Sequence, residues 1–161
     1  MGQVTQAIFN TPIEVGLRLL FVINRSLKSL DTQRLIYYNY ILVHSSDIPS
    51  APKSLHPDFP NRSCEIYVTR KIIQKGLLLL VKKGLVEIVY TKKGILYKSN
   101  KMSDAFLTQF KSAYASELAE RASWVSEHFD YFSDKQLADF INDNVGKWGS
   151  EFTKQYTDDD K

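Results

Sequence analysis

Three patterns in this 161-residue sequence predict a mostly α-helical chain with one small β-hairpin. Segments with apolar residues at helical spacing occupy about residues 12–28, 32–45 and 64–83. The stretch "LVEIVYTKKGILYKS" then sets β-branched and apolar residues on either side of a Lys-Lys-Gly turn, as a two-stranded hairpin does. Two more amphipathic segments close the chain. Three helices and then a hairpin is the order of a winged helix-turn-helix, here followed by two C-terminal amphipathic helices.

Each element has its own justification. Thr11 reads as the N-cap of the first helix, with Pro12 at the first helical position and Glu14 reaching back to complete a capping box. Asp31 caps the second helix. Its Leu35, Ile36, Tyr38, Ile41, Leu42 and Val43 surround the axis, which predicts burial on more than one side. The next stretch, "SDIPSAPKSLHPDFPNRS", contains four prolines that forbid helix and sheet alike, so it forms the one long loop. The third helix runs from about Cys64 to Lys83, with Ile66, Ile72, Ile73, Leu77, Leu80 and Val81 on a core-facing arc. On its other side Lys71, Lys75 and Lys82 fall within about 40° of one another, with Leu78 and Leu79 beside or among them. Gly84 ends this helix, and Gly94 can take the positive φ that the hairpin turn needs.

In the first closing helix Leu107, Phe110, Tyr114, Leu118, Val125 and Phe129 keep helical spacing. In the second, after a capping box from Ser133 to Gln136, Leu137, Phe140, Ile141, Val145 and Trp148 do the same. Residues 1–152 therefore read as one winged-helix domain, with a C-terminal helical extension over about 103–149. Residues 153–161, which end in "TDDDK", read as a flexible, solvated tail.

Composition narrows the classes. The chain is 43% hydrophobic and 24% charged, as a globular domain is, and at this length it buries enough surface to fold without metals or disulfides. Its longest apolar runs, "LRLLFVI" and "GLLLLV", fall far short of the roughly 20 residues of a membrane helix. Cys64 is the one cysteine, so no internal disulfide is available. A cytoplasmic protein without a membrane segment is expected.

The net charge of +3 conceals a segregation. Arg62 to Lys101 holds ten Lys and Arg against Glu65 and Glu87, a net of +8, whereas Met102 to Lys161 nets −6. The basic third helix and the hairpin tip, Lys92 and Lys93, form the footprint expected of phosphate-backbone binding. The competing reading is a solvated lysine face partly neutralised by the acidic C-terminal helices. A base-edge reader wants Arg, Asn or Gln along that face, which offers lysines, Gln74 and two leucines instead, so sequence-specific recognition is not expected. Leucines among the lysines are better explained by a covering protein surface, from a partner or from the chain's own C-terminal helices.

Nothing points to catalysis or to a cofactor. Cys64 and His56 lack a third orienting group, and His44, Asp47, His56 and Asp58 match no metal-ligand spacing. The seven glycines form neither a P-loop nor a dinucleotide fingerprint. Tyr37, Tyr38 and Tyr40 read as core rather than as a base-stacking platform.

The series "NTPIEVGLRLLFVIN", "DTQRLIYYNYILVHSSDI", "SLHPDFPNRSCEIYVTRKIIQKGLLLLVKKGLVE" and "RASWVSEHF" resembles the small middle component, type 2, of bacterial ABC-three-component systems. The resemblance covers about Phe9 to Phe152. Its most specific part is "SLHP" with Pro-x-Arg followed by Glu65, and Cys64 stands where that family typically has glycine. The resemblance implies a non-catalytic accessory subunit without a cofactor. Its partners would be an SMC-like ABC ATPase and an effector nuclease, in Lamassu-like anti-phage or anti-plasmid defence.

On this reading His56, Asp58, Phe59 and Arg62 are the expected partner contacts of the loop, with Phe59 as apolar anchor and Arg62 as donor to a carboxylate. Leu78 and Leu79 extend that surface. Lys71, Lys75, Lys82, Lys92 and Lys93 are the candidates for backbone contact with double-stranded DNA. The alternative from another class is a winged-helix DNA-binding regulator.

Overall fold

The computed structural model describes residues 10–149, among which lie seven α-helices and one antiparallel hairpin. Helices α1 (Pro12–Arg25) and α2 (Thr32–Val43) come first, followed by the long loop, which contains single 3-10 turns at Ser45–Asp47 and Arg62–Cys64. Helix α3 (Glu65–Val68) is one turn long and leads into α4 (Arg70–Lys82). Strands β1 (Val86–Thr91) and β2 (Gly94–Ser99) make the hairpin, and α5 (Lys101–Leu107), α6 (Ala113–Phe129) and α7 (Asp134–Val145) complete the order. The expected tail at 153–161 and both ends of the family resemblance, Phe9 and Phe152, lie outside the described residues.

Local chemistry sets the helix ends. The Thr11 hydroxyl accepts from the Glu14 N–H at 3.2 Å, and Asp31 accepts from the Arg34 N–H at 2.7 Å, so each relieves an unpaired first-turn donor. Ser133 and Gln136 form a full reciprocal box. At the end of α4, Gly84 takes φ 71° and the Leu85 N–H donates to the Leu80 carbonyl at 3.0 Å, which closes a Schellman turn. Lys92 and Lys93 form the hairpin turn between Thr91 and Gly94, and Gly94 absorbs the reversal at φ 128°.

Three boundaries depart from the sequence reading. The first helix stops at Arg25 instead of near Lys28, because Asp130 at the end of α6 accepts from the Ser26 hydroxyl and the Leu27 N–H, both at 2.9 Å. The third helix is interrupted at Thr69, which keeps helical φ and ψ and still donates to the Glu65 carbonyl at 3.0 Å. The segment expected as one helix from Leu107 to Phe129 is two, so three helices follow the hairpin and not two. Asn100 and Ser103 cap one another to start α5, and Ser112 caps α6 anew. Two N-cap signals in one amphipathic run produce two helices.

α1 lies at the middle of the packing, between α4 on one side and α6 on the other. Two glycines let it approach α4 closely. A Cβ on Gly76 would lie 3.1 Å from the Gly16 nitrogen and 3.2 Å from its Cα, so the helix backbones touch there. α2 is enclosed nearly all round, with Leu35, Ile36, Tyr38, Ile41 and Leu42 buried, each worth roughly 1.5–3 kcal/mol of transfer free energy for the aliphatic side chains.

The C-terminal helices are wired into this core. Buried Arg34 of α2 donates to the carbonyls of Phe129 and Phe132, at 3.1 and 2.7 Å, and to Asp134 at 3.0 Å. Buried Asp130 accepts from Tyr38 at 2.8 Å and from Ser126 at 2.6 Å. These two charged groups fix the corner between α6 and α7 through charge-assisted bonds.

Candidate functional site

In the proline-rich loop, the first candidate surface, His56 and Arg62 turn inward. Its start is tied by reciprocal bonds between Ser46 and Ser54, at 3.0 and 2.8 Å, and the His56 N–H returns to the Val43 carbonyl at 3.1 Å. Arg62, only 4% exposed, donates through Nε to Asp47 Oδ2 at 3.0 Å and through Nη2 to Asp47 Oδ1. Tyr40 also donates to Asp47 Oδ2, at 2.6 Å. Burial, with Asp47 beside it, pushes the Tyr40 hydroxyl up, so it stays protonated as the donor.

His56 is 8% exposed, and its Nε2 accepts from Arg18 at 3.3 Å and lies 3.5 Å from the Tyr114 hydroxyl. Burial first, then the Arg18 guanidinium and His44, push it down to about 3, so it is neutral at ordinary pH. Glu65 accepts from His44 Nε2 at 3.1 Å, which joins α3 to the end of α2.

The far side of the molecule braces the loop as well. Arg121 of α6 donates twice to the Lys53 carbonyl, at 2.9 and 3.0 Å. Trp148 stacks on Tyr40 at 5.1 Å, and Gly149, at φ 86°, leaves so little room that a Cβ would lie 2.6 Å from the Asn61 nitrogen. The expectation that Arg62 and His56 present themselves to a partner is therefore corrected, since both are spent inside the fold. Asp58 stays exposed, 4.0 Å from Arg62, and Phe59 is half-buried with its ring edge-on to His44 at 5.7 Å.

The outer side of α3 and α4 behaves differently. Lys71, Lys75 and Lys82 are exposed, Leu78 is 54% exposed, and Leu79 is half-buried. Thr69 remains helical, so the same side continues into α3 with Val68 at 73% and Tyr67 at 66% exposure. The sequence reading missed these two, although extending its helical projection back four residues places them beside the lysines. α6 packs on α1 and α2 instead of covering this stripe.

The hairpin tip is a separate place. Lys92 and Lys93 line a depression of about 470 Å³ together with Lys28, Asp31 and Asp134. Lys71, Lys75 and Lys82 do not line that depression. No carboxylate lies within 4 Å of any of these five lysines among the described residues.

Among the described residues no group of three His, Cys, Asp or Glu could hold a metal ion, and Cys64 is exposed while His56 is buried and neutral. No described helix is long and apolar enough to cross a membrane. Searches of curated proteins and of solved structures return no match. The family described as ABC-three component (ABC-3C) system Middle Component 2 matches residues 8–151, which takes in every element described above. A component of a multi-component ABC system works beside protein partners, in keeping with an accessory subunit, and this chain belongs to the Middle Component 2 family of ABC-three component systems.

Proposed function

We propose that this chain is a non-catalytic, cytoplasmic adaptor that holds an SMC-like ABC ATPase beside an effector nuclease in anti-phage or anti-plasmid defence. The observation that carries the reading is the stripe of Tyr67, Val68, Leu78 and three lysines, which the described helices leave uncovered. Large apolar side chains set among lysines are costly in water and natural in an interface. The interior wiring of His56, Arg62 and Glu65 gives the loop a positioning role, since it fixes where α3 leaves the loop.

We read α1, α2, α4 and the hairpin as a winged helix-turn-helix. What supports this is Leu30, between α1 and α2, which exchanges backbone bonds with Tyr97 of β2 at 2.9 and 2.8 Å and so adds a short third edge to the hairpin.

Co-expression with the ATPase and effector subunits, followed by affinity capture, tests the adaptor. A ternary complex that Leu78→Glu weakens is the expected result, and a chain that stays monomeric beside both subunits refutes it. The second reading, contact with the DNA backbone, is favoured by lysines that have no carboxylate within 4 Å among the described residues. It predicts that Lys71→Glu, Lys75→Glu and Lys82→Glu each lower the slope of log affinity against log salt by about 1, whatever the DNA sequence. No gel shift at low salt removes it.

A further inference from the structure

Three depressions on one side of the molecule share walls and form a single furrow floored by α2. The first, at the hairpin tip, carries Lys28, Lys92 and Lys93 above Asp31, Arg34 and Asp134. The second, about 230 Å³, reuses those last three residues and adds Tyr37, Leu137 and Ala138. The third, about 250 Å³, reuses Tyr37 and adds Tyr67, Arg70, Ile141 and Asn142. The α7 wall from Asp134 to Asn142 alone runs about 12 Å, two helical turns, and the hairpin tip lengthens the furrow beyond that.

Its chemistry is ordered along its length. One end holds three lysines without a carboxylate within 4 Å among the described residues. Partial burial and the nearby Arg34 guanidinium hold the Lys28 ammonium below its ordinary value, against the opposing pull of Asp130, Asp134 and Asp31. The middle is aromatic and aliphatic, with Tyr37 half-buried against α7. Asp31 accepts from the Arg34 N–H and Asp134 from its guanidinium, and with Lys28, Lys92, Lys93 and Arg34 facing these two carboxylates that end keeps a positive balance. At the other end Arg70 donates to Gln33 and Tyr67 stands largely in solvent. A nucleic acid would lay phosphates along the whole furrow, past both carboxylates and an apolar floor, whereas a peptide needs charge at the lysine end only.

We infer that this furrow receives one segment of a partner polypeptide, acidic where it meets Lys28, Lys92 and Lys93 and aliphatic or aromatic where it crosses Tyr37 and α7. The inference rests on the adaptor reading and assigns it a second docking face, which meets the outer stripe of α3 and α4 at Tyr67.

The test is site-specific photo-crosslinking in the full-length chain co-expressed with the ATPase and effector subunits. Benzoylphenylalanine replaces Tyr37 or Asn142 in the furrow and, for comparison, Leu78 on the stripe. The expected result is a crosslink from both furrow positions to one acidic, apolar-centred stretch of a subunit. The triple variant K28E/K92E/K93E should then weaken the complex about tenfold, and reversing the charges of that stretch should restore it. All three lysines are exposed, so the variant keeps its fold. Crosslinks from Leu78 alone overturn the furrow and leave the adaptor standing. Crosslinks from the furrow to DNA or to a second copy of this chain also overturn it, and absence of any complex sinks both readings.

Discussion

The loop of residues 46–62 and the outward side of α3 and α4 are neighbours in sequence and opposites in chemistry. The loop holds the most distinctive residues of the chain, yet two of its polar groups are paired and buried, Arg62 with Asp47 and neutral His56 with Arg18, while Lys53 and Asp58 stay exposed. The helical side looks ordinary in sequence, yet it leaves Tyr67, Val68 and Leu78 in water. Distinctive residues here mark internal architecture, and the surface left for a partner is marked by residues that would be unremarkable anywhere else. A buried ion pair must keep both members and its geometry, whereas an exposed stripe needs only shape and charge.

The contrast is open to breakage. Arg62→Ala should cost the most, about 3–5 kcal/mol in urea unfolding, because Asp47 would stay buried without its counter-charge. Unchanged stability would return Arg62 to the role of a surface donor.

The second effect is pH-dependent. The folded-state pKa of His56 lies near 3 against about 6.5 in the unfolded chain, so the unfolded state binds a proton that the native state refuses. That contribution to stability is complete above pH 6.5 and is lost as the pH falls toward 3. By pH 5 the loss should be about 2 kcal/mol, and His56→Gln should flatten that part of the profile. An identical profile for wild type and variant would place the histidine in solvent.

Gly76→Ala comes third. It gains about 1 kcal/mol of helix propensity, but its methyl meets the Gly16 backbone, and overpacking costs about 1–3 kcal/mol. A net destabilisation of about 1 kcal/mol is expected in thermal melts, and a gain would mean that the two helices can part.

The smallest change in stability belongs to Leu78→Glu, within about 0.5 kcal/mol, paired with a large loss of complex formation in the pull-down. A drop in stability with binding intact would make Leu78 part of the core.

Much of this was legible in the residues. Asp31, Gly84, Gly94 and the Ser133–Gln136 pair act as their types predict, because capping and positive-φ turns are local. The all-round burial of α2 followed from its apolar pattern. Long-range partners were not legible. Asp130 ends α1 from 103 residues away, and nothing near Arg25 announces it. The direction of Arg62 was hidden for the same reason, since an arginine in a proline-rich loop reads alike whether its carboxylate lies inside the fold or on another chain. The furrow along α2 also escaped, because its walls come from the hairpin, α3, α4 and α7.

The touching glycines of α1 and α4 have a mechanical consequence. Where the two glycines meet no side chain separates the backbones, so at that crossing there is no soft layer to compress and a push on α4 passes directly to α1. A protein built this way transmits displacement as a stiff strut would, and swapping either glycine for a bulkier residue would fit it with a shock absorber.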